Sequence, residues 1–364
     1  MSLRVPFMSL TPREDAAALR EGIERVIARG WFILGPELEA FEQEFATASG
    51  SRFAVGLGTG TDALALTLRA LGIGPGDEVI TSPMSAAFSA LAVMMAGATP
   101  VFADLDPRRL NLDPAATAAA ITPRTAAIMP VHLYGQPADM PAFRDLAQRH
   151  GLALVEDACQ AHLATSAGRP VGSYGVAAAF SFYPTKNLGA LGDAGAVTTD
   201  DALLAEKLRR LRNGGQAGKY EHVEFGVNSR LDEMQAAILR ARLARLPEWT
   251  RARRSQAAEY RRALAGARVV VPPECDPGHV YHLFPILTPD RDGFQRHMAA
   301  HGIGTLVHYP MTIPRQPALA HLTSGPYPVA ERVAREVCSL PFHPHLSRDD
   351  AALVAAAVHA WRPS

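Results

Sequence analysis

The chain has 364 residues, 48% hydrophobic and 20% charged, enough to bury one large core and a second smaller one, and too apolar to be disordered throughout. Its 36 basic residues balance 36 acidic ones, which argues against nucleic acid, an anionic membrane or a polyanion as the main partner and leaves one phosphate-bearing small molecule open. Three distant cysteines, Cys159, Cys275 and Cys338, form no CxxC pair, so neither a disulfide framework nor a structural zinc site is expected. The N-terminus lacks an apolar signal core, and no apolar run approaches the roughly 20 residues of a membrane span; the expectation is a soluble, cytoplasmic protein.

Helical spacing from Thr11 to Ala48 is broken at Gly30 and at Gly35-Pro36, which predicts two helices joined by a turn. Short apolar strands are expected at Phe53 to Leu57, Glu78 to Thr81, Thr99 to Ala103, Thr125 to Val131, Leu152 to Glu156, Ala177 to Ser181 and Ala194 to Thr198. Their alternation with helical stretches or turns predicts an α/β layer whose mostly parallel sheet is covered on both faces. Leu203 to Leu211 and Leu231 to Leu246 read as helices, with Pro247 ending or interrupting the second. A helix to about Leu264, strand-like text at Arg268 to Val271 and Val280 to Leu287, and helices near Phe294 to His301 and Asp349 to Trp361 form an α+β tail. The domain boundary is placed near residue 247, giving a large domain over 1–247 and a small one over 248–364.

Three segments carry chemistry. In FSFYPTKNLGALGDAG, Phe180 to Gly195, Lys186 follows an apolar strand, sits among Ser181, Tyr183 and Thr185, and precedes glycines that let a flat ligand approach the backbone. A loop lysine is ordinarily a solvated charge, but this setting can desolvate the amine and lower its pKa, as a Schiff-base lysine needs. In LALVEDACQAH, Leu152 to His162, Glu156 and Asp157 stand at the carboxyl end of a buried strand, where open α/β sheets bind ligands. Two such acids can simply cap the next helix; the alternative is that one, Asp157, holds a pyridine nitrogen protonated, with Gln160 three residues on and near the same helical face. In FAVGLGTGTDALALTLRAL, Phe53 to Leu71, the amides of Gly60, Thr61 and Asp62 and the Thr61 hydroxyl stand at a helix N-terminus, an anion site unless the segment is an ordinary strand-to-helix turn.

The same turn contains Gly58-x-Gly60-x-x-Ala63, a relaxed dinucleotide fingerprint, but the next strand opens on Asp77-Glu78 and closes on Ser82-Pro83 where that fingerprint wants an acid. GxxxxGK[ST], GxSxG and HExxH are missing. The histidines at 279, 282, 297, 301, 308, 343 and 345 are read as surface or packing residues rather than a metal cluster.

Taken in order, the glycine-threonine turn, EDACQ and FSFYPTKNL resemble the DegT/DnrJ/StrS-type sugar aminotransferases. The resemblance covers nearly the whole chain and includes GWFILGPELEAFEQEFA (Gly30 to Ala46), GATPVFADLDP (Gly97 to Pro107), VHLYGQPADM (Val131 to Met140), GVNSRLDEMQAAIL (Gly226 to Leu239), VYHLFPI (Val280 to Ile286) and GIGTLVHYP (Gly302 to Pro310). It implies the type I aspartate-aminotransferase fold, with a mostly parallel seven-stranded sheet in the large domain and a smaller α+β C-terminal domain. It implies pyridoxal 5'-phosphate (PLP) held as a Schiff base on Lys186, which also shuttles the proton, and Asp157 as the pyridinium partner. Gln160 would contact the ring oxygen; Gly60, Thr61 and Ser181, with Asp62 on the same turn, would hold the phosphate. Asn228 would reach the phosphate of the neighbouring subunit's cofactor, making the protein a homodimer with shared sites. L-Glutamate would donate the amine and a nucleotide-linked keto sugar would accept it. A dehydratase branch of the family carries histidine in place of this lysine, and this sequence does not.

Two departures stand out. The aromatic that covers the PLP ring in many relatives aligns with Ala87, and Phe88 is adjacent; RNGGQ (Arg212 to Gln216) replaces the more usual RN-His/Tyr-G. The GWFILGP and GIGTLVHYP segments look closest to enzymes that aminate C3 of a dTDP-linked keto-deoxyhexose; a 4-keto nucleotide sugar or a cyclitol ketone are the alternatives. Tyr183, His308 and Tyr309 are the expected substrate-side residues, since polar aromatic side chains bind sugar hydroxyls and stack on apolar faces, unless they only pack. The rival readings are a nicotinamide-dependent dehydrogenase built on the Gly58 turn and a PLP-binding regulator without turnover.

Overall fold

Gly30, in the left-handed region at φ 68°, closes the first helix, Ala16–Arg29 (α1), and Pro36 opens the second, Pro36–Ala48 (α2). The computed structural model to which they belong describes residues 3–322 and 325–363. Seven strands follow: Phe53–Leu57 (β1), Glu78–Thr81 (β2), Thr99–Phe102 (β3), Thr125–Met129 (β4), Ala153–Asp157 (β5), Ala177–Ser181 (β6) and Gly195–Thr199 (β7). They form one sheet in the order β1-β7-β6-β5-β4-β2-β3, in which only β7 runs against its neighbours. The expected mostly parallel seven-stranded sheet is therefore present, with strand ends moved by at most two residues.

Side chains along these strands alternate between two cores. Val55, Val79, Ala127, Val155, Ala179 and Val197 face one side, while Ala54, Ile80, Ile128, Leu154, Ala178 and Ala196 face the other, as the two-residue period of a strand requires. Helices Gly60–Ala70 (α3) and Phe88–Met95 (α4) cover the first side; Pro114–Ala119 (α5) and Met140–His150 (α6) join α2 on the second. Ala202–Leu211 (α7) returns to the first side and Glu233–Leu243 (α8) to the second. Both faces being covered explains why the strands read as apolar runs without alternation of polarity.

Pro247 does not end the helix over Leu231 to Leu246: α8 stops at Leu243, and Pro247 lies in the first turn of the next helix, Leu246–Ala263 (α9), where a missing N–H has no intrahelical acceptor to lose. Nor is Arg268 to Val271 a strand. Only Val270 bridges, to Leu287, because Pro272-Pro273 withdraw the donors that would extend a ladder. The Val280 to Leu287 stretch narrows to Phe284–Leu287 (β8), antiparallel to Val337–Leu340 (β9). Arg291–Ala300 (α10), Pro328–Glu336 (α11) and Arg348–Ala360 (α12) complete the chain; α11 and β9 had no counterpart in the sequence reading. Here a separate core gathers Tyr260, Tyr281, Phe284, Phe294, Phe342 and Trp361, joined by Val5 from the N-terminal segment.

One buried carboxylate ties α2 to α8. Glu233 accepts hydrogen bonds from the amides of Gly35 (3.0 Å), Glu37 (2.9 Å) and Leu38 (2.8 Å), amides that a helix N-terminus leaves without intrahelical partners. E233A should destabilise the protein by about 3 kcal/mol or more in urea unfolding, because three buried donors lose their acceptor together. A loss below about 1 kcal/mol would show that the entry of α2 does not depend on this carboxylate.

Candidate active site

Strands β5 and β6 pair in parallel, with Asp157 opposite Ala179, so the loops leaving their carboxyl ends emerge side by side. Alternation sends the two acids of β5 to opposite faces. Glu156, fully buried, accepts from the amides of Gly172 (2.9 Å), Tyr174 (2.9 Å) and Gly175 (3.0 Å), and the His132 ring lies 3.3 Å away; it anchors a loop. Asp157 faces the other way. Ser89 Oγ, from α4, donates to Asp157 Oδ2 at 2.7 Å, and the Cys159 amide donates to Oδ1 at 3.2 Å. Ser85 Oγ lies 3.0 Å from Ser89 Oγ and extends the chain.

Neither acid caps a helix, and the helical face proposed for Gln160 does not exist, because a turn follows Asp157. Gln160 is held instead by two contacts: its Oε1 accepts from the Tyr134 amide at 2.7 Å and its Nε2 donates to the Tyr309 hydroxyl at 3.3 Å.

Lys186 stands in the loop between β6 and β7. Its amide donates to the Tyr183 carbonyl at 2.8 Å, and the loop can fold this tightly because Gly189 has no side chain: a Cβ there would lie 2.5 Å from the Pro184 oxygen. The chain has only three lysines, and Lys186 is the half-buried one at this strand end. Burial lowers its pKa below the ordinary lysine value, partly opposed by attraction to the Asp157 carboxylate. Burial also pushes the Cys159 thiol well up, assisted by Asp157, so the sulfur stays protonated.

Three histidines near Lys186 are kept neutral, by burial first and by its positive charge second. His162 is lowered to about 3, His308 to about 4, and His282 falls well below its usual value. The His162 ring nitrogen Nε2 donates to the Ser181 carbonyl at 2.9 Å while the ring packs between Phe180 and Phe182, which fixes the end of β6. Sequence reasoning gave no site role to His162, His282, Tyr134 or Ser89, although His162, His282 and Tyr134 lay inside segments already singled out.

At the glycine-threonine turn, α3 begins at Gly60, and the Thr59 hydroxyl caps it by accepting from the Asp62 amide at 3.0 Å. Asp62 is thereby removed from the expected anion site: its amide is used by the cap, and its carboxylate accepts from Ser229 Oγ at 2.7 Å. The Gly60 and Thr61 amides keep no acceptor among the described residues. Gly60 sits so close to β6 that a Cβ would be 2.7 Å from Ser181 Cβ, which sets the start of α3 against Ser181.

Other expected residues fall at the edges. His308 and Tyr309 are half-buried, with His308 Nδ1 3.0 Å from Ser339 Oγ; burial raises the Tyr309 hydroxyl to about 12. Tyr183 is exposed. Phe88 is 60% exposed and stacks on no ring among the described residues, because its neighbour Ser89 takes the position facing Asp157. Asn228 is exposed too, and its side chain bonds to nothing among the described residues, although Ser229 beside it accepts from the Gly58 amide at 3.0 Å.

A desolvated lysine, a buried carboxylate and unused amides at a helix start fit a group that carries an aldehyde, a basic ring nitrogen and a phosphate. The family model of the DegT/DnrJ/EryC1/StrS aminotransferases matches residues 13–359. The chain belongs to this family. It is 51% identical to the dTDP-3-amino-3,4,6-trideoxy-alpha-D-glucose transaminase of Streptomyces venezuelae, over 98% of this chain and 96% of the relative. The crystal structure of S. venezuelae DesV in complex with a ketimine intermediate superposes with a TM-score of 0.96 at 51% identity, covering 99% of each chain. NtdA of Bacillus subtilis, solved with bound cofactor PMP, gives 0.91 at 32% identity over 98% of this chain and 85% of that one. This aminotransferase therefore shares its fold with enzymes of a PLP-dependent family, and the dehydrogenase and regulator readings give way to a transaminase.

Two consequences can be measured. Removing the Asp157 charge removes an attraction that holds the proton on Lys186, so D157N should shift the pH midpoint for acylation of Lys186 in cofactor-free protein downward, scored by peptide mass against Lys207 and Lys219. An unmoved midpoint would place Asp157 outside the amine's reach. Second, His162 and His279 are buried with pKa values lowered to about 3. Their folded values lie below the unfolded one, so the stability they contribute is complete above about pH 6.5 and is lost as pH falls, by about 2 kcal/mol each at pH 5. Urea midpoints at pH 7 and pH 5 test this, and equal midpoints would contradict it.

Proposed function

We propose that this aminotransferase uses PLP to move an amino group from L-glutamate to the C3 keto group of a dTDP-linked deoxyhexose. The observation that carries the reading is the half-buried Lys186, its pKa lowered, beside a fixed Asp157 and next to the free amides of Gly60 and Thr61. When bound, PLP supplies an electron sink for the carbanion formed at the substrate carbon.

The chain's own residues do the rest. Lys186 Nζ would hold the cofactor covalently at rest and, once displaced, would carry the proton between the substrate carbon and the cofactor's C4′ in each half-reaction, a task suited to an amine with a lowered pKa. Asp157, held by Ser89 and the Cys159 amide, opposes the ring nitrogen and keeps it protonated. Gly60, Thr61 and Ser181 hold the phosphate. Gln160 is tied to Tyr309 and so links the cofactor side to the expected sugar side at His308 and Tyr309. The neutral state of His162, His282 and His308 spares Lys186 further positive neighbours.

The reading includes a homodimer in which Asn228 of one subunit completes the other's phosphate site. Support comes from large apolar side chains left open to solvent, among them Trp31, Phe32, Phe88, Tyr220 and Phe225. The C3 preference and the dTDP group rest on the 51% identical relative, whose name carries both. The test is single-turnover kinetics: L-glutamate should convert the coloured protein to its pyridoxamine form, which should then aminate a dTDP-3-keto-6-deoxyhexose at least about 10-fold faster than the 4-keto isomer or a cyclitol ketone. A faster 4-keto or cyclitol reaction would overturn the C3 assignment, and no conversion by glutamate would overturn the donor.

A further inference from the structure

Asp62, whose amide the Thr59 cap uses, turns its carboxylate to a distant part of the chain. The Ser229 hydroxyl gives its one proton to Asp62 Oδ2 at 2.7 Å and accepts from the Gly58 amide at 3.0 Å, so both partners of this buried group come from the turn that opens α3. The approach is close: a Cβ on Gly58 would lie 3.2 Å from Ser229 Oγ and 3.4 Å from Asp62 Oδ2. About two turns further along the same face of α3, Arg69 donates from Nη2 to the Phe225 carbonyl. Its guanidinium carbon lies 5.4 Å from the centre of the Phe225 ring. Helix α3 therefore holds the 225–229 segment at both ends.

The backbone of that segment is held from another direction. The Val227 amide donates to the Leu211 carbonyl (2.8 Å), the Gly214 amide to the Val227 carbonyl (2.8 Å) and the Ser229 amide to the Arg212 carbonyl (2.9 Å), which lays residues 227–229 against the end of α7. Asn228 bridges Asn213 in the middle of this run, and its side chain is exposed and bonds to nothing among the described residues. A backbone fixed from two sides thus presents an amide side chain that has no work within its own subunit. The free amides of Gly60 and Thr61 stand on the same turn that holds Ser229.

We propose that Asp62 is a positioning residue that acts across the subunit boundary: through Ser229 it fixes Asn228 against the phosphate of the neighbouring subunit's cofactor. The proposal rests on the shared-site homodimer reading. The start of one α3 then serves two sites, its own through the Gly60 and Thr61 amides and its neighbour's through the Asp62–Ser229 bridge. Asp62 touches neither cofactor nor substrate; its effect passes through Ser229 and Asn228.

The test uses mixed dimers of the full-length chain, purified through two different tags and titrated with PLP, with the Schiff-base absorbance as the readout. One subunit carries K186A and cannot form that band; the other keeps Lys186 and reports the site that the first subunit's Asn228 completes. Adding N228A to the K186A subunit should weaken PLP binding at the reporting site about 10-fold, as loss of a hydrogen bond to a charged phosphate does. Adding D62A to the K186A subunit instead should weaken it at least about 3-fold, and S229A, which breaks the same bridge from its other end and covers the case in which D62A fails to fold, should match it. D62A and S229A together should be no worse than either alone, because they remove one interaction. D62N keeps an oxygen that can accept from Ser229 and should stay within about 2-fold of the K186A control. Moved into the reporting subunit, D62A should weaken binding less than it does from the K186A subunit. If N228A acts from the K186A subunit while D62A and S229A do not, the Asp62 role is wrong and the shared site stands. If D62A acts across the boundary and N228A does not, Asn228 is not the group being positioned and the proposal is overturned. If all three are silent from the K186A subunit, the shared-site reading falls and the Asp62 role falls with it.

Discussion

An amine withdrawn from water beside a carboxylate that is itself fixed is the constraint on which the site depends. Burial alone drives Lys186 toward its neutral form, and Asp157 alone would hold it charged; the balance gives a lysine that can both attack an aldehyde and carry a proton. That balance needs Asp157 to stay in place. Ser89 and the Cys159 amide occupy one oxygen each, so the carboxylate is oriented by α4 and by its own strand end rather than by the lysine. It also needs the surrounding charge to stay low, which the three neutral histidines and the protonated Cys159 provide.

The sheet makes these demands compatible. Because β5 and β6 are parallel neighbours, Asp157 and Ser181 end at the same edge, and the helix that follows β1 can aim its free amides there only because Gly60 lets it touch β6. The strand's two-residue period separates the paired acids, sending Glu156 to brace the 172–175 loop and Asp157 to the cleft. His162 then fixes the Ser181 carbonyl, so the strand end that meets the start of α3 and leads into the Lys186 loop is held rigid.

Much of this was legible from the residues. The seven strands were readable because a sheet buried on both faces leaves short apolar runs bounded by glycine, proline and acids, and Lys186 and Asp157 stood where such strands end. What could not be read was long-range pairing. Ser89 is one serine among many until α4 is laid against β5, and Ser229 is another until it is seen between Asp62 and the Gly58 amide. Gln160 was chosen on a helical spacing that does not exist, since tertiary contacts with Tyr134 and Tyr309 impose a turn. Asp62 was misplaced because the Thr59 cap competes for its amide. The α11–β9 passage escaped because nine residues of helix running directly into a four-residue strand leave too short a period to recognise.

The most direct measurement is covalent trapping. The protein supplied with PLP, reduced with borohydride and digested, contains only three lysines to choose from. The phosphopyridoxyl mass should appear on the peptide bearing Lys186 and on neither Lys207 nor Lys219. A label on either of the other two, or none on Lys186, would contradict a desolvated amine poised at the end of β6.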